Sequence, residues 1–238
     1  TARLAAKKMK FGLYGAASGV TCNGVTAGQL GYEDLDVATF KRWGVSFLKS
    51  DNCASYAMDS SVRFAATRDA LLRADAQILY SIEPFSISPD LRQSVKVANM
   101  WRVATDMGKE CWHCVIDRAS ISDKWAPLAG PGGWNDPDMI NLGVHFTAAE
   151  NRAYFGLWCI MKAPLLLSAN LPKLPAWISA TFQNPEIVAI NQDSLGVQAR
   201  KLMLDGQPLP WEVGLERCDL GIGGGISGMR PRGFRGGA

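Results

Sequence analysis

The stretch FLKSDNCAS, residues 47–55, ends an apolar run in a lysine, an acid, an amide and a thiol. A strand end that merely meets water would account for Lys49, Asp51 and Cys53, and so would the lining of an active site. Polar residues close other apolar runs in the same way, at Tyr14, Glu83, Asp106, Asp138 and Ser168. The chain has 2 histidines, His113 and His145, so carboxylates are the natural agents of any catalysis. Two carboxylates flanking a scissile bond suit glycoside hydrolysis, in which one attacks or activates water and the other protonates the leaving oxygen. Asp51 and Asp106 fall two strands apart, which lets their carboxylates face each other across the mouth of a barrel. Lys49 beside Asp51 favours the ionised carboxylate that a nucleophile requires. On spacing alone, the same acids serve as well to cap loops or to pair with Lys and Arg.

The elements that must position these residues alternate. Strand patterns are predicted over residues 9–15, 45–51, 77–83, 101–106 and 164–170, and GPGGWNDPDMI (130–140) carries a further polar strand end. Helical periodicity is predicted over 32–44, 59–75 and 147–162, with a helical start in 89–101 and a helical or irregular stretch leading to Trp125. PEIVAINQD (185–193) closes the series. The polar ends recur every ~23–37 residues, the length of one strand-plus-helix unit. Strand alternating with helix implies a parallel sheet with right-handed crossovers, either a doubly wound open sheet or a (β/α)8 barrel. The first turn, GLYGAASG, lacks the glycine spacing of a dinucleotide site, and no phosphate-binding P-loop occurs. A TIM barrel keeps its active site at the C-terminal strand ends, where this chain places Lys49, Asp51, Glu83, Arg102, Asp106 and Asp138. The barrel expected here is incomplete, with about six of the eight βα units. The first two strands are expected before Thr1, because TARLAAKKMKFGLYG reads as the tail of a helix running into a strand. Residues 1–205 are assigned to the barrel fragment. Residues 206–238 are read as an irregular Gly/Arg-rich tail at the start of a C-terminal β domain.

Composition narrows the function classes. The 238 residues are 47% hydrophobic and 20% charged, which is ordinary globular material. A net charge of +3 is too mild to argue for a nucleic-acid partner, and no apolar run reaches the ~18 residues of a membrane helix. Of the 6 cysteines, Cys111 and Cys114 have zinc or redox spacing, but no second ligand pair accompanies them. No metal and no cofactor is therefore expected.

Four stretches then carry a resemblance. Residues 11–53 (FGLYGAASGVTCNGVTAGQLGYEDLDVATFKRWGVSFLKSDNC), GPGGWNDPDMI, LWCIMKAPLLLSANL and EIVAINQDSLGVQ resemble glycoside hydrolase family 27, whose best-known members are α-galactosidases (melibiases). The similarity runs from about Met9 to Lys201. It implies a retaining glycosidase that releases terminal α-D-galactose from galacto-oligosaccharides or glycoconjugates, by double displacement with two Asp carboxylates. Asp51 takes the nucleophile's place and Asp106 that of the acid/base. Lys49, Tyr14 and Arg102 fall on sugar-binding positions, with Asp138 lining the same mouth, and Pro137 biases Asp136 toward an extended backbone. Glu83 occupies the position that reads the sugar 2-hydroxyl, where relatives acting on N-acetylgalactosamine carry a small residue. The resemblance also implies a disulfide between Cys22 and Cys53, an α-galactoside as the partner molecule, a homodimer as the assembly to look for, and a secreted or lysosome-like compartment. Two alternatives stand beside it. One is an enzyme of the same family acting on α-N-acetylgalactosamine or β-L-arabinopyranose, and the other is an inactive carbohydrate-binding fragment. The chain departs from the family in reading Ile82-Glu83-Pro84-Phe85 where many members have Cys-Glu-Trp, and in having no Asp-Asp pair on an early strand.

Overall fold

The computed structural model describes residues 2–53, 58–84, 90–107, 111–143, 145–204 and 207–212. In chain order the elements are α1 (Ala2–Ala5), β1 (Phe11–Ala16), α2 (Glu33–Trp43), β2 (Val45–Asp51), α3 (Ser60–Arg73), β3 (Leu79–Ile82), β4 (Met100–Arg102), α4 (Trp112–Lys124), β5 (Trp134–Asp136), α5 (Ala148–Ile160), α6 (Ala176–Phe182), α7 (Pro185–Asn191), β6 (Arg200–Leu204) and β7 (Gln207–Glu212). β1 to β5 form one parallel sheet in sequence order. The run expected as a sixth strand joins by a parallel bridge, Ile140 to Leu167. The Ile140 amide donates to the Leu166 carbonyl at 2.7 Å, and the Ser168 amide donates to the Ile140 carbonyl at 3.0 Å. Among the described residues the sheet is thus an open arc of a barrel, with β1 at one edge and this bridge at the other.

Local chemistry explains the helices. α2 has Glu33, Asp34 and Asp36 in its first turn and Lys41 and Arg42 in its last, matching the helix dipole. It stops at Gly44, whose φ of 71° is left-handed and favours glycine. Asp59 caps α3 by accepting from the Ser61 amide at 2.7 Å. Thr147 and Glu150 form a reciprocal capping box at α5.

Parallel strands are covered on both faces. On the outer face Leu48, Tyr80, Ile82 and Trp101 pack with Val37, Phe64 and Leu71 of α2 and α3. A second cluster joins Ile140 to Val115 and Ala119 of α4 and to Tyr154, Phe155 and Trp158 of α5. Strand alternation sends the residues between these positions to the other face.

Four elements depart from their predicted form. The strand predicted over 101–106 ends at Arg102, because the chain leaves the sheet once the Val103 amide has bonded the Asp136 carbonyl. The stretch before Trp125 is the regular helix α4. Its apolar face is only four residues (Val115, Arg118, Ala119, Ser122), two of them polar, which hid its period. Residues 185–193 hold α7, started by Asn184, whose side chain accepts from the Glu186 amide, and by Pro185 in the first turn. β6 pairs antiparallel with β7, apart from the main sheet. The junction expected at residues 205–206, most of the tail beyond it, Phe85 and Cys218 lie outside the described residues.

Candidate active site

Register builds the site. β1 pairs Tyr14 with Lys49 and Ala16 with Asp51, and β2 pairs Lys49 with Ser81. The Glu83 amide donates to the Ser50 carbonyl just beyond β3, while β4 pairs Arg102 with Asp136. Asp51, Glu83, Arg102 and Asp136 therefore stand in one row at the C-terminal edge of four consecutive strands. Tyr14 and Lys49 lie in the row beneath.

Lys49 ties this row together. Its Nζ lies 3.4 Å from Asp51 Oδ2 and 3.2 Å from Glu83 Oε2, and 5.5 Å from the centre of the Tyr14 ring. Burial opposes the charge on Asp51, but a hydrogen bond from Glu83, the Lys49 charge, the Tyr14 hydroxyl and the Asn52 amide together hold its carboxyl below the usual carboxylate range. Glu83 goes the other way. Burial, then the shared hydrogen bond with Asp51, pushes it up to about 8, against the pull of Arg102 and Lys49. Of this pair, Glu83 holds the proton and Asp51 the negative charge at neutral pH. Burial and the neighbouring Asp51 push Tyr14 up to about 12, so its hydroxyl remains a donor.

Arg102 anchors the opposite flank. Its side chain is 2% exposed, with Nη1 3.7 Å from Glu83 Oε2 and 3.2 Å from Asp106 Oδ1, and Nη2 2.9 Å from Asp138 Oδ2. Burial works against its charge, but Asp138, Glu83, Asp136 and Asp106 more than offset that and keep it protonated. Asp106 is 83% exposed. Its loop is held from behind by Arg118 of α4, which donates to the Thr105 carbonyl at 3.1 Å and the Asp106 carbonyl at 3.1 Å.

Asp138 braces the Arg102 flank. It has a φ of 97°, unusual for a residue with a side chain. Its Oδ2 also accepts from the Met107 amide at 2.6 Å, and its carbonyl accepts from Trp158 Nε1 at 2.8 Å. These bonds hold the strained backbone in place and fix Met107 directly after Asp106.

Cys22 and Cys53 form a disulfide with Cα atoms 4.9 Å apart, pinning the loop after Asp51 to the loop after β1. The Tyr14 hydroxyl lies 3.9 Å from Cys53 Sγ. Cys111 and Cys114 also form a disulfide, and Cys159 is a buried free thiol.

All the acids, bases and aromatics singled out from the sequence thus converge, through Lys49 and Arg102, on one edge of the sheet. Sequence reasoning missed Arg118, whose role depends on a fold contact. It also missed Arg63, a buried residue of α3 that binds the Ala17 carbonyl and the Asn52 side chain beside Asp51. A single charged residue on a helix face otherwise made of apolar and small neutral residues was the signal available for both. Asp136 was noted only for its backbone. It is 5% exposed, and burial raises its carboxyl against the opposing Arg102 charge.

Known proteins share this arrangement of strands. The melibiase family described as alpha galactosidase A matches residues 2–193. The chain is 35% identical over 207 residues to an alpha-galactosidase of Oryza sativa subsp. japonica, covering 87% of this chain and 49% of that protein. It is 38% identical over 202 residues to alpha-galactosidase 3 of Arabidopsis thaliana, covering 84% and 46%. The crystal structure of alpha-galactosidase I from Mortierella vinacea superposes with a TM-score of 0.77 at 27% identity, covering 85% of this chain and 57% of that one. The chain spans about half the length of the curated relatives it matches.

Proposed function

The chain belongs to the alpha galactosidase A family, and from that premise we propose that the whole protein is a retaining glycoside hydrolase releasing terminal α-D-galactose. The observation that carries the assignment is Lys49 bridging Asp51 and Glu83, with the charge on Asp51 and the proton on Glu83. A nucleophile must be anionic and fixed. Asp51 attacks the anomeric carbon while Asp106 protonates the departing glycosidic oxygen. The β-linked galactosyl-enzyme is then hydrolysed by water that Asp106, now a base, deprotonates, so the α configuration is retained. Exposure suits Asp106 to this task, since the departing group must leave past it and water must reach it before the second step. Tyr14, Lys49, Glu83, Arg102 and Asp138 supply the sugar-binding donors and acceptors. Glu83 fills the space an acetamido group would need and favours plain galactose. The Cys22–Cys53 disulfide suits a secreted or lysosome-like compartment. Among the described residues no helix is long and apolar enough to cross a membrane.

The test is hydrolysis of aryl glycosides by the whole protein. Aryl α-galactoside is expected to turn over faster than aryl α-N-acetylgalactosaminide or aryl β-L-arabinopyranoside, with Asp51→Asn inactive on all three. Faster turnover of either competing sugar overturns the substrate assignment. Activity surviving in Asp51→Asn overturns the mechanism.

A further inference from the structure

Cys111 and Cys114 play no part in this mechanism, yet they sit where a thiol is most readily activated. Cys111 is the N-cap of α4, and its Sγ accepts from the Cys114 amide at 3.1 Å. A helix start stabilises a thiolate through its amides and dipole. Both cysteines are partly exposed, and the intervening His113 is exposed, so solvent-borne thiols can reach the bond. The Cys22–Cys53 disulfide has the opposite surroundings. A carboxylate oxygen of Asp51 lies within 4.8 Å of both of its sulfurs, and that anion opposes any thiolate formed there.

α4 also leads to the acid/base loop. Cys114 and Arg118 are four residues apart on a helix and share a face. Arg118 holds the Thr105 and Asp106 carbonyls. The disulfide pins the first turn of α4, one turn ahead of Arg118.

We propose that Cys111 and Cys114 form a thiol-exchange site for a small dithiol, whose redox state reaches the Asp106 loop through Arg118. In the exchange, one thiolate of the dithiol attacks Cys114 Sγ and forms a mixed disulfide. Cys111 leaves as the thiolate that the helix start stabilises. The second thiolate of the dithiol then closes on the first, forming its own cyclic disulfide and releasing Cys114. Two electrons pass to the protein, two protons complete its thiols, and the dithiol is oxidised. The exchange is independent of the proposed glycosidase activity, and only the importance of the Asp106 loop rests on it.

The experiment uses the native, air-oxidised full chain in buffers of graded reduced-to-oxidised dithiothreitol ratio. Quenching with iodoacetamide and peptide mass spectrometry then reads each cysteine. Cys111 and Cys114 are expected to be half alkylated at a ratio at least ~10-fold lower than Cys22 and Cys53, because the two sites stabilise a thiolate to opposite degrees. Opening of both bonds together, or of Cys22–Cys53 first, overturns the exchange site. At a ratio that opens only the first bond, hydrogen exchange of a peptide spanning residues 101–107 is expected to rise. In Arg118→Lys that peptide should exchange faster whatever the redox state. No rise in the native chain, or a redox-dependent rise that persists in Arg118→Lys, overturns the link to Asp106.

Discussion

Asp51 ends β2 and Asp106 lies in the loop that follows β4 of the same sheet, and their surroundings differ in every respect that matters to a carboxylate. Asp51 is 14% exposed, flanked by a lysine, a protonated acid, a tyrosine and a disulfide. Asp106 is 83% exposed and its side chain pairs with Arg102, while its backbone is clamped by Arg118 and Asp138. One flank fixes the side chain and its charge. The other fixes the backbone and leaves the side chain open to water. Double displacement asks for this division, because the nucleophile keeps one protonation state through the cycle while the acid/base changes state twice.

The contrast is sharpest under amide substitution. Asp51→Asn removes the anion for which the first flank is built, and turnover in the whole protein should fall by about 10⁴-fold or more for every leaving group. Asp106→Asn should fall by about 10²–10⁴-fold on substrates with poor leaving groups. Activated aryl galactosides should remain fast in the first step, since a good leaving group needs little protonation. Added azide should then rescue the second step and give α-galactosyl azide, identified by NMR of the product. Equal losses for activated and unactivated substrates in Asp106→Asn would erase the distinction between the flanks, and a β-galactosyl azide would reverse the stereochemical assignment.

Much of this site was legible because parallel strands impose a simple rule: the last residue of each apolar run lies at the same edge. Val45–Asp51 folds as the predicted strand, and the acids at such ends meet. The helical periodicity over 147–162 likewise marked the helix that folds as α5. What escaped was set by partners remote in sequence. β4 stops at Arg102 because Val103 finds the Asp136 carbonyl 33 residues on. The proton on Glu83 depends on burial and on a shared hydrogen bond, neither of which a local pattern encodes. The Cys111–Cys114 spacing was plain, but its place behind the Asp106 loop required the fold.

The two disulfides divide along the same line. Closing the span from Cys22 to Cys53, 31 residues apart, restrains the unfolded chain far more than closing Cys111 to Cys114, 3 apart. Loop entropy gives about 4 kcal/mol for the first and about 2 kcal/mol for the second. Replacing both cysteines of a pair by Ser should lower stability in that order in urea unfolding of the oxidised protein. The reverse order would mean that the helix start of α4, rather than chain restraint, dominates the stabilisation.

The smallest expected effect concerns the proton on Glu83. Its carboxyl titrates near 8 in the folded chain and near 4.3 when unfolded, so between those values the folded state binds more protons than the unfolded one. Stability contributed by this residue is then present at low pH and lost as pH rises from about 4.3 to about 8. Asp51 has the opposite sign, because its carboxyl is held low and its contribution is lost only as pH falls below the ordinary range. Glu83→Gln keeps a donor for Asp51 but cannot ionise. Compared with the native chain, it should show a flatter stability profile across that window, with a relative gain that grows toward pH 8. Lys49→Met tests the same coupling from the other side. It removes a cation that favours ionisation of both acids, so the fall in stability with rising pH should run on to higher pH. Parallel profiles for the native chain and Glu83→Gln would show that Glu83 ionises normally. The proton would then have to be sought on Asp51 itself, and the two flanks of the site would lose the difference in charge that sets their roles.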